Sequence, residues 1–102
     1  MELYDKIHEN EELKTYILAG NRVLGELGFT EHGLAHAGTV SKMSREILEK
    51  LNYSDHECEL AAVAGYMHVI GNMINRCDHE QCGGILAFNI LRSLDINPKD
   101  IA

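Results

Sequence analysis

The sequence predicts an all-α domain, and three observations carry that prediction. No window alternates polar and apolar residues with the period of two that marks a half-buried strand. Apolar residues recur instead at three- and four-residue intervals, the spacing of one helix face. The single proline, Pro98, stands near the end and interrupts none of these stretches. With 102 residues, 45% of them hydrophobic and 25% charged, residues 1 to 102 form a single small domain of ordinary globular composition.

A short first helix is expected over about residues 3 to 8. Asn10 is a side-chain cap for a longer one over about 11 to 27. Leu13, Ile17, Leu24 and Leu27 make its apolar stripe, and Gly28 stands where glycine ends helices. Thr30 begins the approach, through a turn, to a third helix over about 33 to 51. Ser54 with Glu57 three residues later reads as a capping box, opening a helix that ends near Met67 or His68. A loop through Gly71, Asn72 and Asn75 leads to a helix over about 79 to 93. Asn97-Pro98 is a helix start, cap followed by proline at the first helical position. Only about four residues follow, too few for a helix in isolation, so the expectation is a bundle cut short after about four to five helices.

Charge and composition exclude several classes of function. Nine basic against sixteen acidic residues give a formal charge of −7, which disfavours a nucleic-acid surface. No apolar run is long enough to span a bilayer. Three cysteines (58, 77 and 82) and the acidic start point to a reducing, cytoplasmic setting.

Histidines carry the functional signal. His36 is followed at helical intervals by Val40, Met43 and Ile47. His79 stands in the same relation to Gly83, Leu86 and Ile90, and His68 follows Ala61 and Ala64. Each of three helices is therefore expected to turn one histidine toward the others, and small residues nearby leave room for an ion. A histidine on an apolar face is usually a core residue bonded to a carbonyl; three such placements together favour a shared cleft, with imidazoles able to hold zinc, iron, manganese or nickel. His32 opens a helix close to His36 and is a candidate for contact with a phosphate. His8 and His56 lie among acidic residues on expected solvent faces. Cys77, His79 and Cys82 are a rival set for a local zinc ion, although their spacing matches no common structural zinc motif.

The segments Gly33-Leu34-Ala35-His36, Tyr66-Met67-His68-Val69-Ile70-Gly71-Asn72 and His79-Glu80-Gln81-Cys82-Gly83-Gly84-Ile85-Leu86 resemble, in order and context, the motifs of the HD-domain phosphohydrolase superfamily. The resemblance covers about residues 30 to 92. It implies an HD-like helical bundle in which His36 and His68 ligate a divalent metal (iron, manganese, zinc, nickel or magnesium), with His79 on a second ion. It also implies hydrolysis of a phosphate ester or nucleotide by metal-activated water.

Two departures weigh against activity. Val69 stands where the family has an aspartate, and a branched hydrocarbon neither bridges metals nor balances their charge. The family's later ligands are expected beyond Ala102. Since losses of supporting residues around a metal already cost ~10–100-fold, loss of a ligating carboxylate predicts an impaired or inactive hydrolase with weakened metal binding. Two other readings follow. In one, the chain is a non-catalytic interaction module, a homo-oligomer formed by apolar contact or by exchange of helices. In the other it is a small zinc-binding protein using Cys77, His79 and Cys82.

Overall fold

The computed structural model describes residues 2–102. Among the described residues it has no strand and six helices: α1 (Glu2–His8), α2 (Glu11–Glu26), α3 (Leu34–Lys50), α4 (Asp55–Met67), α5 (His79–Ser93) and α6 (Pro98–Ile101). A 3-10 turn, Ile70–Met73, joins α4 to α5 where the sequence suggested a loop. The all-α class is as predicted, and no described helix is long and apolar enough to cross a membrane.

Side-chain caps set three of the helix starts, those of α2, α4 and α6. Asn10 Oδ1 accepts from the Leu13 amide at 2.8 Å, Ser54 Oγ from the Glu57 amide at 3.1 Å, and Asn97 Oδ1 from the Lys99 amide at 2.9 Å. Each satisfies an amide that has no partner within its own helix. Helix α3 starts differently: its cap is Gly33, with no side-chain bond, and Thr30 stays in the preceding loop. That loop is fixed from outside, since Asn21 Oδ1 accepts from the His32 amide at 2.8 Å and Glu31 Oε1 from the Gly33 amide. At the end of α2, Gly28 takes φ +87°, the left-handed geometry that lets the chain turn away.

The predicted stripe of α2 holds at Leu13, Ile17 and Leu24, all buried. Leu27 does not belong to it. As the C-terminal cap it is past the last turn that touches the core and is 61% exposed. The α3 stripe is rotated from the expected one. Its buried residues are Ala37 and Ser41, while Met43 and Ile47 face solvent and His36 sits half-buried at the boundary.

Close approach of α4 explains the rotation. Gly65 of α4 lies directly on α3, where an added Cβ would stand 3.0 Å from Ser41 Cα, Val40 O and Ser44 Oγ. Helices this close need small residues on both sides, and α3 offers Ala37 and Ser41 rather than Met43 and Ile47. Ser41 Oγ, fully buried, donates to Ala62 O at 2.6 Å and binds the pair together. Gly65→Ala should therefore cost about 1–3 kcal/mol in urea denaturation. Gly38→Ala, on the same pair but with nothing within 4 Å, should be neutral or stabilising by up to ~1 kcal/mol.

The core joins α1, α2, α3, α4 and α5 through Ile7, Leu13, Ile17, Ala37, Tyr66 and Ile90, with Val69 and Ile70 entering from the link after α4. The 3-10 turn is held between two helices. Gly20 of α2 abuts Asn72 and Met73 on one side, and Gly71 lies against the first turn of α5 on the other. This turn is what aligns the end of α4 with the start of α5.

Candidate histidine cleft

Three imidazoles form a row where the α3 N-terminus meets the α4 C-terminus. His32 and His36 have ring centroids 5.1 Å apart, and His36 and His68 are 5.2 Å apart, each pair tilted by 57°. His32 comes from the loop tied to Asn21, His36 from the first turn of α3, and His68 from the residue that caps α4. His68 is exposed, not on a buried face as its alignment with Ala61 and Ala64 suggested. Ala64 and His68 instead line a groove, because the opposite side of α4 (Ala62, Gly65 and Tyr66) is the one pressed into the bundle.

That groove has a volume of about 680 Å³ and runs between α4, α5, α6 and Leu3 of α1. His79 and Glu80 line it together with His68, so the structure places His68 in contact with both halves of the site: the His36 ring on one side, the groove shared with His79 on the other. His79 is only 17% exposed at its side chain, and Gly83 and Ile90 below it are buried as the α5 pattern predicted.

Backbone carbonyls orient these rings. His68 Nδ1 lies 2.6 Å from Gly65 O and His32 Nδ1 2.7 Å from Thr30 O. His79 Nδ1 faces two acceptors, Arg76 O at 3.1 Å and Glu80 Oε1 at 2.9 Å. An acceptor opposite Nδ1 requires the proton there, which leaves the Nε2 lone pair of a neutral ring outward as a base or ligand. Carbonyl bonds of this kind are what the bland reading of a histidine predicts, and they are also how metal-binding histidines are held. Partial burial first, and then the nearby His68 and His32, hold the His36 imidazole below its ordinary value of 6.5, against an opposing pull from Glu31. The neutral ring is thereby favoured at neutral pH.

Val69 turns inward. At 3% exposure it is part of the hydrophobic core with Met67 and Ile70, so it packs as an ordinary apolar residue immediately after the exposed His68. Among the described residues, no group of three or more His, Cys, Asp or Glu side chains stands assembled around a common point. His36 and His68 form a pair of imidazoles, and Glu31, whose Oε1 accepts from the Gly33 amide, is the carboxylate near enough to act on His36. Cys77 is exposed, Cys82 half-buried, and Cys58 buried against Tyr53 O.

Sequence patterning did not reveal a clasp beside the histidine row. The Arg76 guanidinium stacks 5.0 Å over the Phe29 ring and donates to Asn72 Oδ1 at 3.2 Å, joining the segment after the 3-10 turn to the loop that carries His32. Asn72 Nδ2 is buried without a hydrogen-bond partner. A basic residue four positions after a buried asparagine is the only trace this contact leaves in the sequence.

No family model matches this chain, and no solved structure matches it. An uncharacterized protein of Methanocaldococcus jannaschii is 25% identical over 107 residues, an alignment covering 90% of this chain and 41% of that relative. The chain thus spans about two fifths of the relative's length.

Proposed function

We propose that this chain is an HD-type helical domain derived from a metal-dependent phosphohydrolase, in which the histidine cleft persists and the hydrolytic chemistry is lost or much reduced. The observation that carries the reading is the His36–His68 pair, 5.2 Å apart beside an open groove, with the Nε2 atom of His68 turned outward by the bond to Gly65 O. A divalent ion held there would supply the Lewis acidity that activates water and neutralises phosphoryl charge. His68 is oriented by its carbonyl, His36 is kept neutral by its surroundings, and the groove containing His79 gives a phosphorylated small molecule or nucleotide a place to bind. What the pair lacks is a carboxylate at position 69, which is a buried valine; Glu31 acts on His36 but is bonded to the Gly33 amide. Two imidazoles without a carboxylate at position 69 fit only a loosely held ion.

Val69→Asp is the informative variant. With manganese present it should hydrolyse p-nitrophenyl phosphate or a nucleotide at least ~10–100-fold faster than the native chain, and a further His36→Ala change should remove the gain. A folded, metal-loaded Val69→Asp protein no faster than native would count against descent from a hydrolase.

A second reading has one observation in its favour. Met43, Ile47 and Leu51 are each more than half exposed and recur every four residues along the outer side of α3. Such a stripe suits a second copy of the chain. Light scattering should then give a dimer that Ile47→Glu dissociates, and a monomer at high concentration would dismiss this reading.

A further inference from the structure

Helix α6 spans only four residues and borders the groove that contains His68 and His79: Ile96, Asp100, Ile101 and Ala102 form part of its wall. Its place against the groove is set by what fastens it to its neighbours. One fastening reaches across the fold. His56 Nε2, in the first turn of α4, stands 2.9 Å from Asp100 Oδ1, although 44 residues separate them. The Asp100 carboxylate is half-buried while the His56 ring is open to solvent, so the partner that titrates is also the one that protons can reach.

We propose that α6 is a lid on the groove, latched to α4 by the His56–Asp100 bridge and released when that bridge loses its charge. The charges facing His56 favour this behaviour. Asp100 on α6 acts most strongly, first by its hydrogen bond and then by its charge, with Glu59 and Glu57 of α4 adding to it; together they raise the imidazole above its ordinary value of 6.5. Asp55 of the same helix and Glu49 and Arg45 of α3 line the shallow surface beside it. Glu59 is partly occupied elsewhere, since its Oε2 accepts from the Tyr4 amide at 3.0 Å. Because the folded value is raised, the latch is fully present below pH 6.5 and is lost as pH rises through that higher folded value. It is independent of any chemistry at the histidine cleft.

The lid is read most directly from the 13C chemical shifts of Asp100 and Ile101, which report the helicity of α6, together with the fluorescence of an apolar dye that enters the open groove. Between pH 5.5 and 8.5 the native chain should lose α6 helicity and gain dye binding, with an equilibrium shift of roughly 1.5- to 5-fold, the range for an exposed ion pair. His56→Gln and Asp100→Asn should each abolish the pH dependence and hold the dye signal at the native high-pH level throughout. A pH-dependent transition that survives in both variants would overturn the proposal, as would a native α6 unchanged across the range.

Discussion

Gly71→Ala is expected to lower the thermal midpoint by about 12 °C or more, the equivalent of ~3 kcal/mol in a domain of this size. A Cβ at position 71 would fall inside the contact radius of the His79 carbonyl oxygen, 2.6 Å from Gly83 N and 2.8 Å from His79 C. All three are backbone atoms, so no side-chain rotation relieves the overlap. The first turn of α5 has to move away from the 3-10 turn, and His79 moves with it. Gly84→Ala is the matched control, one residue beyond Gly83 with nothing within 4 Å, and should melt within ~2 °C of the native chain or above it. Circular dichroism melts of the two variants decide the matter. A Gly71→Ala protein as stable as native would mean that the 3-10 turn and α5 do not touch in this way.

Val69→Asp should be equally costly, and here the loss is conditional. A carboxylate at a position 3% exposed among apolar side chains costs about 3–5 kcal/mol when nothing compensates its charge. Burial raises the folded pKa of such a group above its unfolded value near ~3.9, so the penalty grows as pH rises through that value and is smallest in acid. If the histidine cleft descends from a metal site, divalent zinc or manganese should restore much of the lost stability at neutral pH while leaving the native chain nearly unaffected. A midpoint that falls without metal and does not recover with it would leave Val69 as a core residue and nothing more.

Helices were legible in this sequence because their signals are local. Asn10, Ser54 and Asn97 are caps defined by a few neighbouring residues, and each makes the bond its position implied. Facing was harder to read. The α3 pattern holds two overlapping stripes, one of large residues (Val40, Met43, Ile47) and one of small ones (Ala37, Ser41). Hydrophobicity favours the first, whereas the approach of Gly65 from another helix selects the second. That choice is a tertiary fact with no local trace. His68 shows the same limit, since small residues spaced with it along α4 suggested burial and turned out to include the wall of a groove. The neighbourhood of His32, His36 and His68 was foreseen in part: the pairing of His36 with His68 and the nearness of His32 to His36 were expected, and the tilted contact between the His32 and His36 rings was not. It depends on Asn21, eleven residues away, holding the loop. His56, read as a solvent-face residue among acids, is exposed as expected, but its partner Asp100 lies on a helix that periodicity could not place beside it.

The central claim is that His36 and His68 form a residual metal-facing pair beside a buried Val69. Two-dimensional 1H–15N spectra of the imidazole rings, recorded on the native chain during titration with zinc, test it most directly. The Nε2 resonances of His36 and His68 should shift together and saturate only at high zinc concentration, with the shifts lost in His36→Ala and His68→Ala. Zinc that perturbs His8 and His56 while leaving His36 and His68 unmoved would contradict the account.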